Sequence, residues 1–324
     1  MNLRFIKSFP LAIGVTCASA QGFCQTDMGT RVSRLESDMR KVRTHTALEN
    51  FGAKTASNAP QTNGYGFFAT ADFLWWKLFE FQDDYVFDNK HSIGALPFKG
   101  DVKHMDFKWE PGFRVGLGYV FDYDGWDIKL NFTDYKTNAH QHKHASNSGF
   151  LVPLWGYETV ELTKLRAKWK VQFYELDLVL GRDFFVSKSL AFHPFFGLAS
   201  AWINQQRSSH MTLVLGDTAK LRSKNNFWGI GPRAGVDGQF FMGRHFSLCG
   251  SIAGALLWGR IHGHEKEHID TIDVNIYNEK LNARRMSPMV DYALGGAFET
   301  NFNDNANHFM VKLMFESQYW WKQN

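Results

Sequence analysis

The sequence predicts an all-β protein, an antiparallel transmembrane β-barrel of about eight to twelve strands, with about ten as the best estimate. Long segments alternate apolar residues with small or polar ones, which is the period of a strand with one apolar face. Beyond the first twenty residues no run of about 18 apolar residues occurs, which argues against a membrane-spanning helix. Aromatic residues make up 16% of the 324-residue chain, and they stand at the ends of the apolar stripes.

The clearest strand pair covers residues 227–259. Trp228, Ile230, Val236 and Phe240 share one face of its first strand. At about 3.3 Å per residue, the stretch from Trp228 to Phe240 extends about 40 Å, or about 30 Å when tilted by about 45°. An apolar band of that height with aromatic ends is typical of an outer-membrane strand.

The same alternation predicts nine clear strands, which lie near residues 65–76, 112–121, 126–133, 167–180, 190–202, 228–240, 246–258, 290–299 and 309–319. The strand at 167–180 changes phase, which predicts a β-bulge near Phe173. Antiparallel closure needs an even number of strands, so a further strand is predicted within residues 79–108.

The predicted connections alternate in length. Short turns lie near 122–125, 182–188, 242–245 and 301–306, and long loops lie near 79–108, 140–165, 204–225 and 260–287. In outer-membrane barrels the long loops are extracellular.

Three segments precede or form the barrel. Residues 1–20 combine Arg4 and Lys7, a short apolar core and Ala18-Ser19-Ala20, which predicts a signal peptide. Residues 21–63 form a predicted periplasmic segment, in which residues 26–50 carry a heptad seam. That seam is either a lone amphipathic tether or a short coiled coil that joins barrels into a trimer. Residues 64–324 form the barrel.

Composition excludes several classes of protein. The formal charge of +4 falls to about +2 without the leader, which gives no argument for nucleic-acid binding. Cys24 and Cys249 remain after the leader, too few for a disulfide framework, and whether Cys24 pairs between chains stays open. We expect no cofactor, and outer-membrane lipids are the expected surroundings.

Charged residues of both signs oppose the apolar stripes. If the apolar face contacts lipid, these side chains line the lumen, and their mixed signs predict weak selectivity. The predicted lumen residues are Arg114, Asp127, Lys129, Glu175, Asp177, Arg233, Asp237, Asp291, Glu299, Lys312 and Glu316. Arg233 and Asp237 either pair across a closed lumen or line an open one.

Four stretches of the chain carry a family resemblance: GYGFFATADFLWWK, FKWEPGFRVGLGYVFDYDGWDIKLNFTDY, FWGIGPRAGVDGQFF and ESQYWWKQ. Together they resemble the pore-forming outer membrane proteins typified by the Legionella major outer membrane protein and the MOMP-like porins of chlamydia-related bacteria. The resemblance implies a β-barrel porin of a Gram-negative outer membrane and supplies no catalytic residues. The chain ends WWKQN, without the terminal Phe of many barrels, which leaves the direction of the last strand open.

Two histidine patterns invite a metal interpretation. Residues 264–268 match HExxH, but a zinc protease needs that motif on a helix, and here it falls in a predicted loop. We therefore expect no enzyme. A weaker hypothesis brings two predicted loops together at the pore mouth to bind a transition metal or to respond to pH. Its histidines are His140, His142, His144, His262, His264 and His268.

Two functions from different classes fit these observations. The first is a passive, weakly selective channel for small hydrophilic solutes. The second is a structural or adhesive barrel that displays extracellular loops without an open pore. At about ten strands the lumen is narrow, because barrels near eight strands are filled by side chains.

Overall fold

The fold was analysed in a computed structural model, which describes residues 3–4, 12–17, 66–81, 83–90, 99–121, 126–146, 149–156, 161–187, 189–243, 245–269, 274–302 and 307–322. Sixteen strands and no helix occur in these ranges. None of the described residues forms a helix with the length and apolar character needed to cross a membrane. The predicted heptad segment, residues 26–50, lies outside the described residues, so the N-terminal helix finds no support and the trimer stays a prediction.

Ten antiparallel strands close into a ring, because β10 pairs with β12 as well as with β8. The ring strands are β2 (Ala12–Cys17), β3 (Gly66–Lys77), β7 (Trp109–Val120), β8 (Trp126–His144), β10 (Leu162–Arg182), β12 (Leu190–Leu213), β13 (Thr218–Phe241), β14 (Phe246–Ile269), β15 (Val274–Phe302) and β16 (Asn307–Trp320). The short strands are β1 (Leu3–Arg4), β4 (Phe79–Glu80), β5 (Asp84–Asn89), β6 (Gly100–His104), β9 (Phe150–Pro153) and β11 (Phe184–Phe185).

The ring confirms the barrel and the estimate of ten strands, but the predicted position of the tenth strand is wrong. Residues 79–108 contribute β4, β5 and β6, and β5 pairs with β6 and with β9 at one end of the barrel. The tenth ring strand is β2, which lies between β16 and β3 through the pairs Gly14↔Lys312 and Gly14↔Asp72. It comes from the apolar core of the predicted signal peptide, where apolar composition alone does not distinguish a leader from a strand.

Two of the predicted long loops are strands. β12 and β13 stay paired as far as Thr212↔Thr218, and β14 and β15 as far as Ile269↔Val274. The alternation of apolar and polar residues fades there because the outer face has left the lipid, while backbone pairing continues. We call this end of the barrel the extended end and the opposite end the short-turn end.

The last strand has a defined direction. β16 runs from its turn with β15 at the short-turn end to Trp320, which is level with Met289. The last strand therefore runs toward the extended end.

The predicted bulge near Phe173 is also wrong. β10 pairs without interruption from Lys164 to Gly181 with β8 and β12. Trp169, Phe173 and Glu175 all face inward, with exposed fractions of 0%, 1% and 2%. The inner face itself changes along the strand, from apolar residues at the extended end to carboxylates below them.

The outer face carries the predicted apolar band. Trp228, Ile230 and Phe240 on β13 are 46–48% exposed, and Trp258 on β14 is 56% exposed. Tyr174, Trp202 and Trp228 are successive partners across β10, β12 and β13. Such a row of aromatic side chains marks one interface of a membrane.

Candidate functional site: the barrel lumen

The predicted lumen residues lie on the inward face of the ring strands, and the structure joins most of them into two buried ion clusters. The first is centred on Arg233 of β13. Its guanidinium donates to the carboxylate of Glu175 at 3.1 Å and to that of Asp291 at 2.6 Å, and it lies 3.8 Å from Asp177. These carboxylates come from strands on both sides, β10 and β15. Of the two alternatives left open for Arg233 and Asp237, their mutual pairing is not the one that forms, since Arg233 pairs with the carboxylates of β10 and β15.

The second cluster is centred on Arg114 of β7. Its guanidinium makes a two-pronged contact with Glu316, at 2.6 and 3.2 Å, and lies 3.8 Å from Asp72. Nε of Arg114 also donates to the hydroxyl of Thr133 at 3.1 Å. Paired charges with several hydrogen bonds are the form in which charge is tolerated away from water.

The two clusters sit at the level where opposite walls touch. In the ring, β10 and β16 are separated by four strands on either side. Yet Gln318 of β16 donates to Glu175 of β10 at 2.9 Å, and the rings of Phe173 and Trp320 are 5.7 Å apart. Side chains therefore span the full diameter of the lumen.

Above this level an apolar core fills the extended end. Trp76, Tyr135 and Phe173 contact one another from β3, β8 and β10, with ring centroids 5.4 and 6.4 Å apart. Phe227, Leu257 and Ile261 belong to the same core and are at most 2% exposed.

Residues from the short strands complete this core. Phe107, which follows β6, and Trp155, which follows β9, contact Trp169 at 5.4 and 5.7 Å between ring centroids. The Arg207 guanidinium lies 3.8 Å from the centroid of the Trp169 ring and pairs with the buried Glu80 at 3.3 Å. The strands β4 to β6 and β9 therefore cover the mouth of the barrel.

The short-turn end is more polar and partly open to solvent. Asp127 lies 2.5 Å from Nε2 of His193, and Asp237, half exposed, accepts from Ser251. Glu299 accepts from Gln239 at 2.7 Å and from Ser247 at 2.9 Å. Lys129 and Lys312 occupy inward positions of the same region.

Several lumen residues were missed from the sequence: Asp72, His193, Gln239 and Gln318. Each occupies a position opposite the apolar stripe of its strand, so the same alternation would have found them. Attention to formal charges alone excluded the histidine and the amides.

Glycines on the inner face do not widen the lumen. A Cβ at Gly235 would lie 2.5 Å from the ring of Phe195, and one at Gly118 would collide with the ring of Phe68. Aromatic rings of neighbouring strands occupy the space beside these glycines, so the missing side chains do not open the lumen.

The two predicted histidine groups lie on different strands. His140, His142 and His144 end β8, whereas His262, His264 and His268 lie on β14, and β10, β12 and β13 separate the two strands around the ring. Loss of solvent and the neighbouring His144 lower the pKa of His142, which opposes its protonation in mildly acidic solution. Among the described residues, three metal-ligating side chains converge elsewhere, at Asp83, Asp84 and His104.

The HExxH motif lies on β14 and not in a loop, which corrects its predicted location. Residues four apart on a strand are separated by about 13 Å. The helical spacing that brings two histidines to one zinc ion is therefore missing.

Most of the chain matches a known family of outer membrane proteins. Residues 59–324 match the family described as Legionella pneumophila major outer membrane protein precursor. The crystal structure of the outer membrane protein OprG from Pseudomonas aeruginosa is similar over 81% of this chain and 98% of that chain, at 11% identity and a TM-score of 0.28. No curated protein matches the chain. Since the family match covers well over half of the sequence, the chain belongs to the Legionella major outer membrane protein family and is an outer-membrane β-barrel protein.

Proposed function

We propose that this protein is a closed outer-membrane barrel that anchors and displays its extended hairpins, and that it is not an open diffusion channel at rest. The observation that carries the proposal is the contact between opposite walls, made by Phe173 with Trp320 and by Glu175 with Gln318. Side chains that meet across the whole diameter obstruct the passage of water and solutes.

The size of the barrel supports the same proposal. Interiors of barrels near eight strands are filled by side chains, whereas wide aqueous channels are found at sixteen or more. A ring of ten strands is close to the filled class, and both ion clusters and the aromatic core use the available space.

The displayed part is the extended end. Ten residues separate Trp228 in the aromatic row from Thr218, so the β12–β13 hairpin extends about 30 Å along the strand direction beyond the aromatic row. Its outward side chains are polar, as are Arg260, His262 and His264 on β14. By the rule that the long side faces outward, we assign this end to the extracellular space.

A passive channel for small hydrophilic solutes is the second candidate. The hydrated charges of the short-turn end favour it, since Asp237 is 51% exposed inside the lumen. Conduction would require the Phe173–Trp320 contact and the Arg233 cluster to separate.

Conductance in planar bilayers tests the two functions. We expect the folded wild-type protein to give no discrete conductance steps, and a Phe173→Gly, Gln318→Gly, Trp320→Gly variant to give more frequent current events. Circular dichroism and the mobility difference between heated and unheated samples on gels check that both proteins are folded. Regular steps from the wild-type protein would overturn the closed barrel and support the channel.

Labelling of intact cells tests the orientation. Leu215→Cys lies in the turn at the extended end and is 88% exposed, and Met242→Cys is its matched control at the short-turn end, 63% exposed. We expect a membrane-impermeant maleimide to label position 215 on intact cells and position 242 only after lysis, relative to the unsubstituted protein. The reverse pattern would place the extended end in the periplasm.

A further inference from the structure

We propose that Asp83, Asp84 and His104 form a binding site for a transition-metal dication of the Zn²⁺ class. The site lies where β5 begins and β6 ends, on the strands that cover the mouth of the barrel. It is independent of whether the lumen conducts.

The geometry brings three ligand atoms together. One oxygen of each carboxylate and one imidazole nitrogen all lie within 4.8 Å of one another. Nδ1 of His104 is 3.1 Å from Asp83 and is in closer contact with Asp84. An ion at the centre of such a triangle would be about 2–2.8 Å from each atom, close to the 2.0–2.2 Å of zinc ligands.

A backbone irregularity makes this convergence possible. Successive side chains of a regular strand point to opposite faces, so adjacent aspartates would diverge. Here the register between β5 and β6 shifts between Asp84 and Val86, while Met105 donates its N–H to the carbonyl of Asp83 at 2.8 Å. A register shift at the strand start re-aims a side chain, and both carboxylates then face His104.

The charges of the hairpin also favour a cation here. At its other end, Asp101 is neutralised by Lys90 at 2.9 Å and Lys103 at 3.5 Å. Within the described part of the chain, the only basic side chain within ion-pair distance of Asp83 and Asp84 is the imidazole of His104, so the two carboxylates share one basic group.

The donor set selects the class of ion. Mg²⁺ and Ca²⁺ prefer oxygen ligands throughout, whereas an imidazole nitrogen with two carboxylates suits Zn²⁺ and its neighbours in the first transition row. Three protein ligands leave at least one position for water.

A metal ion bound at this site would stabilise the strands that cover the mouth of the barrel. It would join the start of β5 to the end of β6, only three residues before Phe107, whose ring contacts Trp169 in the core. The metal would therefore stabilise the strands that close the extended end.

Calorimetric titration of the full chain in detergent micelles tests the site. After removal of metal with a chelator, Zn²⁺ is added in the presence of millimolar Mg²⁺. We expect one equivalent of Zn²⁺ per chain for the wild-type protein, loss of this binding in His104→Ala, and the same loss in an Asp83→Asn, Asp84→Asn variant.

Two controls separate the site from other ligands. Asp101→Asn removes a carboxylate of the same hairpin that has lysine partners. A His142→Gln, His144→Gln variant removes two histidines of β8 that contact each other. Both variants are expected to bind one equivalent of Zn²⁺ per chain. Gel mobility of unheated samples shows whether each variant is folded. Absence of stoichiometric Zn²⁺ uptake by the wild-type protein, or unchanged uptake by folded His104→Ala, would overturn the proposal, as would its loss in the β8 variant.

Discussion

The membrane-spanning half of the barrel and its extended half are built from the same strands, but their apolar side chains lie on opposite faces. The apolar face is outside in the membrane half and inside in the extended half. On β10, Leu176 and Leu178 face lipid while Glu175 and Asp177 face the lumen. A few residues earlier on the same strand, Lys170 and Gln172 face solvent while Trp169, Val171 and Phe173 are buried inside. The hydrogen-bonded ladder crosses this boundary without a shift.

The difference shows that the solvent outside each half determines which face is apolar. In lipid the outer face must be apolar, and polar groups survive only inside, where they pair. In water the outer face is polar, and the interior gains stability by burying apolar surface as in a soluble barrel. Side chains thus meet inside both halves, as ion pairs in one half and as packed aromatic rings in the other.

The largest effect on the free energy of unfolding is expected when the central positive charge of the membrane half, Arg233, is removed. Arg233→Ala leaves Glu175, Asp177 and Asp291 buried without their shared cation, and such broken pairs cost about 3–5 kcal/mol. The free energy of unfolding, measured by urea titration in lipid vesicles, should fall by that amount. Arg260→Ala, an exposed arginine of the extended half, is the control and should change it by less than about 0.5 kcal/mol. Equal effects at the two positions would contradict the comparison.

Removal of an aromatic ring from the extended half should cost nearly as much. Phe173→Ala deletes a side chain that is 1% exposed and contacts Trp76 and Trp320, so a loss of about 3 kcal/mol is expected from the cavity. The adjacent Tyr174→Ala, on the outer face, is the matched control and should cost clearly less in the same urea titration. A larger loss at Tyr174 would mean that Phe173 does not belong to a packed interior.

A charge placed on the outer face of β10 tests where the boundary between lipid and water lies. Leu178→Arg places a cation against lipid and should destabilise the barrel by about 2–4 kcal/mol. Gln172→Arg, six residues away on the same face, stands in water and should be nearly neutral. If both substitutions cost the same, the membrane boundary would not lie near Tyr174.

The smallest expected effect concerns the seam between β16 and β3, where β2 pairs only with residues 310–314 and 69–73. The three-part signature of residues 1–20 predicts cleavage after Ala20, with a loss of about 2 kDa in the intact mass of protein purified from outer membranes. Cleavage removes β2 and leaves nine of the ten described ring strands, with β16 and β3 parallel. An intact mass that includes residues 1–20 would instead make β2 a permanent strand.

Much of the barrel follows from local sequence in the membrane half. Trp228, Ile230 and Phe240 alternate with polar partners over the height of a bilayer, and the predicted strands there are confirmed. In the extended half the same method is wrong, because it assigns residues 204–225 and 260–287 to loops. With water outside and an apolar core inside, the alternation of β10 inverts at Phe173, and a pattern of apolar residues cannot report which face is inner.

The sequence by itself determined the antiparallel barrel, its compartment and the inward position of the charged residues, since each depends on the period of two and on composition. Only the tertiary structure decided which charges meet. Arg233 of β13 donates to Glu175 on β10 and to Asp291 on β15, each 58 residues away in the sequence and two strands away in the ring, whereas Asp237 on its own strand is not its partner. Residues four apart on a strand are about 13 Å from each other, while closure of a narrow ring brings distant strands within hydrogen-bond distance. The contacts across the lumen are therefore a property of the ring, because no single strand contains both sides of a contact that crosses it.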